Sequence, residues 1–98
     1  MRGDPRFLKL SKEELELHAN KQEDYGAEGD PFANVRSAME FGVPAWVGAL
    51  IRMNDKMTRL KKAAKGGTLT NEGVIDSLMD ISVYAKIAVI LYREAQDA

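Results

Sequence analysis

The stretch EGVIDSLMDISVYAKIAVILY, residues 72–92, decides the fold of this 98-residue chain. Apolar side chains at helical spacing occur in almost every direction around it, which predicts a central helix that partners cover on most sides. Asp76 and Asp80 occupy the first turns of the stripe that Val83, Ile87 and Leu91 continue, and Glu72 lies beside them. Ionised groups are rarely buried without a compensating charge. The main question about function is therefore what these carboxylates face.

The composition excludes several classes of protein. The chain has 14 basic and 15 acidic residues and a net charge of −1, so it has no overall attraction for nucleic acid or anionic membranes. It has no cysteine and a single histidine, so any metal ion would be held by oxygen ligands. The N-terminus lacks the apolar run of a signal peptide, and no segment approaches the roughly 20 apolar residues of a membrane span. We therefore expect a cytoplasmic protein.

The N-terminal part is predicted to contain an arm and a helix. Residues 1–10 are predicted to be an arm, and residues 11–98 a single domain. Ser11 and Glu14 have the spacing of a capping box, which predicts a helix from Ser11 to about residue 23. Its apolar stripe is thin, which predicts a helix that is either only partly buried or completed by another subunit, and we expect a homo-oligomer.

Three further helices are predicted along the chain. Asp30 is a good N-cap for a short helix that ends at Gly42. A longer helix is predicted at about 44–64 and the last at about 70–94. The candidate N-caps of the last helix are Thr68 and Thr70. The fold class is therefore all-α, a small bundle of three to four helices in which the last two form a long antiparallel hairpin. The predicted core stripe of the third helix is Trp46, Ala49, Leu50, Met53, Met57 and Leu60.

The first candidate site is the acidic row Glu72, Asp76 and Asp80, spaced four residues apart. Side chains four apart on a helix are neighbours. Two carboxylates on adjacent turns can share a Mg²⁺ ion that also holds phosphate oxygens. Acidic residues at this spacing are more often solvated or paired with cations, so the pattern alone is a weak signal for metal.

The second candidate site is the basic cluster of Arg52, Lys56 and Arg59, with Asp55 among them. Arginine offers a planar fork of donors and lysine a mobile point charge, and both are typical of phosphate binding. The alternative is that these cations neutralise Asp76 and Asp80 across a contact between helices. The residues alone leave these two interpretations equal.

The third candidate site begins with Lys21 and continues through Asp24 and Tyr25 into a glycine-rich loop. Tyrosine and glycine here either form a turn or provide a ring for base stacking and a close backbone approach to a ligand. The single histidine, His18, more often has a structural or surface role than a role as a ligand.

These motifs together resemble a known family. Four of them occur in order over residues 15–92: Lys21-x-x-Asp24-Tyr25-Gly26, Asp30-Pro31-Phe32, Asp55-Lys56-x-x-Arg59-Leu60 and Asp76-x-x-x-Asp80-Ile81-x-x-Tyr84. The chain thus resembles small phage and bacterial proteins known as nucleotide modification associated domains or MazG-like proteins. Those proteins look like relatives of the all-α nucleoside triphosphate pyrophosphohydrolases, oligomeric helical enzymes in which acidic residues hold magnesium against a triphosphate.

The resemblance implies roles for individual residues. Asp76 and Asp80 would be catalytic and, with Glu72, would bind Mg²⁺. The implied nucleotide-binding residues are Lys21, Asp24, Tyr25, Arg52, Lys56, Arg59 and Tyr84. The family pattern of Glu-x-x-Glu on one helix and Glu-x-x-Asp on another is not kept, because the acids of the last helix are four residues apart. Glu13 and Glu16 do have the Glu-x-x-Glu spacing, but they precede the Lys21 motif.

Three hypotheses follow from these residues. The first is a nucleotide-binding, Mg²⁺-dependent enzyme that cleaves a nucleoside triphosphate to the monophosphate and pyrophosphate. The second is a non-catalytic phage protein, acting in the host cytoplasm, that sequesters a defence signalling nucleotide without metal. The third is a helical inhibitor module whose charged rows pair with each other and whose partner is a host protein.

Overall fold

The computed structural model describes residues 3–25, 30, 32–69 and 73–97, and side chains at all of these except 20–25. The described chain is all-α, as predicted, and it contains no β-strand within these ranges. Its elements are the helices α1 (Pro5–Tyr25), α2 (Ala33–Arg36), α3 (Ala45–Ala64) and α4 (Val74–Asp97), with a 3-10 helix (Ser37–Phe41) between α2 and α3.

Helices α3 and α4 form the centre of the fold as an antiparallel hairpin. They share most of the contacts between elements in the described part of the chain. Trp46, near the start of α3, meets Tyr92, near the end of α4, with ring centroids 5.4 Å apart. Lys56, further along α3, meets Asp80 in the first half of α4. The two contacts together establish the antiparallel direction.

The two helices meet along one row of side chains from each, which we call the inner seam. Its α3 positions are 45, 49, 52, 56, 59 and 63, and its α4 positions are 77, 80, 84, 87 and 91. Steps of four and three residues keep such a row on one side of a helix. One half of the seam is apolar, with Ala49, Ile87 and Leu91 buried around Val35 of α2. The other half is polar and includes the buried Ser77 and Asp80.

Gly48 allows α2 and the 3-10 helix to approach α3 closely. A Cβ atom at this position would lie 2.4 Å from the carbonyl oxygen of Val35 and 2.9 Å from Cβ of Ala38. The guanidinium of Arg36, on α2, forms salt bridges with the carboxylates of Asp30 and Glu94, at 2.8 Å and 2.7 Å. The segment before α2 is thereby linked to the end of α4.

The predicted start of the first helix is wrong. Helix α1 begins at Pro5, so residues 5–10 are helical, and the hydroxyl of Ser11 donates to the carbonyl of Phe7 at 3.0 Å. Asp4 and Pro5 supply the real start, because the Asp4 carboxylate accepts the backbone N–H of Arg6 at 2.7 Å and proline suits the first helical position.

The other helix ends agree better with the sequence. Asp30 accepts the backbone N–H of Phe32 at 3.0 Å, and Gly42, with a φ of 82°, ends the 3-10 helix. The predicted bounds of α3 are confirmed to within one residue. Helix α4 begins at Val74, so Thr68 lies too far ahead to cap it, while Thr70 lies outside the described residues.

The predicted core stripe of α3 is correct only in part. Ala49 is fully buried, and Trp46 and Met53 are half-buried, but Leu50 and Met57 are 41% and 42% exposed. Several apolar side chains of α4 are exposed as well. The cover that the sequence predicts around α4 is therefore incomplete within a single chain.

Candidate functional site

A polar pocket of about 370 Å³ lies between α3 and α4. It is lined by Arg52, Asp55, Lys56, Thr58, Arg59 and Tyr84. The structure therefore brings together four of the predicted nucleotide-binding residues, three of them cationic. Thr58 was not predicted, although it lies only one residue before Arg59 and its hydroxyl group is a common phosphate ligand.

The spacing of the basic residues explains why they converge. Arg52, Lys56 and Arg59 are separated by four and three residues, so they project from one side of α3. These positions belong to the inner seam, where α3 faces α4. Tyr84 occupies the matching row of α4 and closes the pocket from that side.

Lys56 and Asp80 form an ion pair at the base of this region. The Nζ atom of Lys56 lies 3.0 Å from Oδ2 of Asp80, and the two side chains are 22% and 8% exposed. A buried carboxylate needs such a partner, because its desolvation costs several kcal/mol. For this pair, the predicted neutralisation across the helix contact is confirmed.

The predicted metal-binding acids do not share one environment. Asp80 is buried, Asp76 is exposed one turn earlier, and Glu72 lies outside the described residues. No group of three acidic or histidine side chains in the described ranges is placed to hold a metal ion. The Lys56 ammonium stands 3.0 Å from Oδ2 of Asp80, so a Mg²⁺ ion on this carboxylate would have to share it with Lys56. The magnesium prediction, which includes Glu72, stays a prediction.

The Lys21 motif lies at the end of α1. The backbone of Lys21, Asp24 and Tyr25 belongs to the last turns of this helix, and their side chains are outside the described part of the structure. Their predicted roles therefore stay predictions. His18, one turn earlier, stacks on Phe32 with ring centroids 6.4 Å apart. This packing contact agrees with a structural role for the histidine.

A second charge pair, which the sequence did not reveal, joins a buried carboxylate of α1 to an exposed lysine of α4. Glu14 is 8% exposed, and its Oε2 atom accepts a hydrogen bond from Lys86 Nζ at 2.6 Å. Burial raises the pKa of Glu14, but hydrogen bonds from Lys86 and Ser82 and the charges of Lys86 and His18 hold it below its usual value. The pair borders an apolar groove of about 490 Å³ between the two helices.

No family model, curated protein or solved structure matches this chain. The resemblance to MazG-like proteins therefore rests on the motifs of the sequence. None of the helices in the described ranges is both long enough and apolar enough to span a membrane.

Proposed function

We propose that this protein binds a nucleotide through the polar pocket between α3 and α4. The observation that carries the proposal is the convergence of Arg52, Lys56 and Arg59 with Tyr84 around one space of about 370 Å³. Guanidinium and ammonium groups are the usual protein ligands of phosphate oxygens. The volume lies within the range of small-molecule sites.

The charge of the lining favours an anion. Three cations and one carboxylate, Asp55, border the pocket. The hydroxyl groups of Thr58 and Tyr84 add neutral hydrogen-bond donors, and the ring of Tyr84 offers a surface for a base. The ordered motifs shared with MazG-like proteins support a nucleotide over other phosphate-bearing molecules.

The ion pair of Lys56 with Asp80 favours binding without magnesium. The positive charge beside Asp80 already comes from the protein, at 3.0 Å. A nucleotide held by side-chain cations keeps its phosphates intact unless a nucleophile is activated. The favoured function is therefore sequestration of an intact nucleotide, in keeping with a phage protein that removes a signalling nucleotide.

Hydrolysis is the second candidate. Asp76 is exposed one turn before Asp80, and both precede Tyr84 on α4. If Lys56 moves from Asp80 onto a phosphate, Asp76 and Asp80, with Glu72, would hold Mg²⁺ in the manner of the pyrophosphohydrolases. This function requires a rearrangement that sequestration does not.

The two candidates are separated by one set of measurements. Native mass spectrometry of freshly purified protein is followed by calorimetric titration with nucleoside triphosphates and cyclic nucleotides, in EDTA and in Mg²⁺. We expect binding in EDTA, recovery of intact ligand after denaturation, and loss of binding in Arg52→Ala at an unchanged melting temperature. Lys61→Ala, an exposed lysine of α3 that does not line the pocket, is the matched control.

Two results would contradict sequestration. Products that form only with Mg²⁺ and disappear in Asp80→Asn would establish the hydrolase. No response to any nucleotide would exclude nucleotide binding as the function. The hypothesis to test next would then be an inhibitor of a host protein.

A further inference from the structure

Helix α4 carries a second apolar row beside the inner seam. Its members are Val74, Leu78, Ile81, Ala85, Ala88 and Tyr92. The row repeats the four-and-three spacing of the seam, and each position from Leu78 onward lies one residue after a seam position. It contains no charged residue. Val74, Leu78 and Tyr92 are 45%, 52% and 47% exposed, so both ends of the row are exposed in the single chain, while Ile81, Ala85 and Ala88 between them are half-buried.

Helix α3 carries a matching row. Its members are Trp46, Leu50, Met53, Met57 and Leu60, again each one residue after a position of the inner seam. This row, too, contains no charged residue. Leu50 and Met57 are the exposed members that the sequence had assigned to the core. Their exposure has a simple explanation if another molecule covers this row.

The two rows lie on the same side of the hairpin. A step of one residue turns a position by about 100° around a helix. Because α3 and α4 are antiparallel, the same step along each chain turns both rows toward one side. The edge-to-face contact of Trp46 with Tyr92, one from each row, agrees with this placement. We call the two rows together the outer face.

The rest of the described chain packs on the opposite side. The α1 groove is lined on α4 by Ile87 of the seam and by Val83, Lys86 and Ile90, each of which lies one residue before a seam position. Gly48, which receives α2, also lies one residue before a seam position. Helices α1 and α2 therefore leave the outer face open.

We propose that the outer face binds a second copy of this chain, giving a dimer in which the two hairpins form a four-helix bundle. The face lacks charge, so it offers no counterpart to an acidic or basic partner, whereas an identical apolar face complements it. A two-fold dimer uses the same patch on both subunits. Helices with heptad-spaced apolar rows pack in this way in four-helix bundles.

The size of the face is close to that of a specific interface. By helical rise the α4 row from Val74 to Tyr92 is about 27 Å long and the α3 row from Trp46 to Leu60 about 21 Å long, and each helix is about 10 Å wide. Each copy would then contribute about 480 Å², which places the total near the roughly 1,000 Å² of a specific interface. Small domains commonly gain stability by such association.

The dimer leaves the polar pocket accessible. Asp55 and Thr58, which border the pocket, lie one residue before seam positions and thus on the side of α3 away from the outer face. The two pockets of the dimer would open on opposite outer surfaces. Dimerisation and nucleotide binding can therefore be tested independently.

Sedimentation velocity over a range of protein concentrations tests the dimer. We expect the wild-type protein at twice the 10.9 kDa chain mass and Leu78→Glu at the mass of one chain, because two carboxylates would be buried in the bundle. Phe41→Glu is the matched control: Phe41 is 86% exposed on the 3-10 helix, and this variant should remain a dimer.

A second variant guards against misfolding. Leu50→Lys places a charge on the α3 row instead, and circular dichroism verifies the helical content of each variant. A monomeric wild-type protein at every concentration would overturn the proposal. A dimer that survives both Leu78→Glu and Leu50→Lys would overturn it as well, since the interface would then lie elsewhere.

Discussion

Nζ of Lys56 lies 3.0 Å from Oδ2 of Asp80, across the seam between α3 and α4. Asp80→Asn removes the charge that compensates a largely buried ammonium. We expect the free energy of unfolding to fall by about 1.5–3 kcal/mol, the range for a hydrogen bond to a charged group. Asp76→Asn, at an exposed position one turn earlier, should change it by less than about 0.5 kcal/mol. Urea unfolding of both variants measures the difference, and equal effects would contradict the assigned pairing.

Arg52 should affect nucleotide binding through the shape of its guanidinium as well as through its charge. We expect Arg52→Ala to weaken binding about 10-fold or more, and Arg52→Lys to give an intermediate affinity because lysine keeps the charge but loses the planar fork. Binding of the wild-type protein should weaken as NaCl is raised. Calorimetric titration at low and high salt measures both effects. Equal nucleotide affinities of the wild-type protein and Arg52→Lys would argue against a bidentate contact of Arg52 with phosphate.

The Glu14–Lys86 pair should make stability depend on pH. The pKa of Glu14 lies below its ordinary value of 4.5, so the ionised form stabilises the fold above that pH. This stabilisation is lost as the pH falls through the pKa of the folded protein. The melting temperature of the wild-type protein should therefore exceed that of Glu14→Gln at pH 7, and the gap should narrow as the pH falls below 4.5. A gap that stays constant from pH 7 to pH 3 would mean that the charge of Glu14 contributes nothing.

Gly48→Ala should destabilise the protein even though alanine is the better helix former. The helical preference contributes about 1 kcal/mol in favour of alanine. The added Cβ would meet backbone oxygen at 2.4 Å, and overpacking of this kind costs typically about 1–3 kcal/mol. We expect a lower melting temperature. Gly3→Ala, where the added atom would meet only the flexible side chain of Leu8 at 3.6 Å, an ordinary van der Waals distance, is the control and should leave the melting temperature nearly unchanged.

Much of the fold could be predicted from local patterns. Helix α3 has a proline before it, apolar steps of three and four within it and glycines after it, and its predicted bounds are correct to within one residue. The start of α1 was missed because two local signals compete there. Ser11 and Glu14 have the form of a capping box, but Asp4 and Pro5 begin the helix earlier and Glu14 is drawn to Lys86 instead.

The candidate site could be predicted from the sequence only in part, because some of its contacts join residues that are far apart in the chain. The common side of Arg52, Lys56 and Arg59 follows from their spacing within one helix. The choice of Asp80 over Asp76 as the partner of Lys56 depends on how α3 and α4 are aligned, which no local pattern specifies. The Glu14–Lys86 pair joins residues 72 positions apart and was likewise hidden. The exposure of Leu50 and Met57 could not be predicted either, because their spacing is that of a buried row.

The inner seam and the outer face use adjacent positions of the same helix, which limits the insertions and deletions that α4 can accept. Removing one residue between Asp80 and Tyr84 would turn everything on one side of the deletion by about 100°. Asp80 would then no longer stand in line with Ile87 and Leu91, and both rows would be broken at once. Insertion of seven residues into the intact helix would instead keep the two sides nearly aligned, because seven residues make almost two whole turns. We therefore expect natural variants of this chain to differ in the length of α4 by whole heptads, if they differ at all.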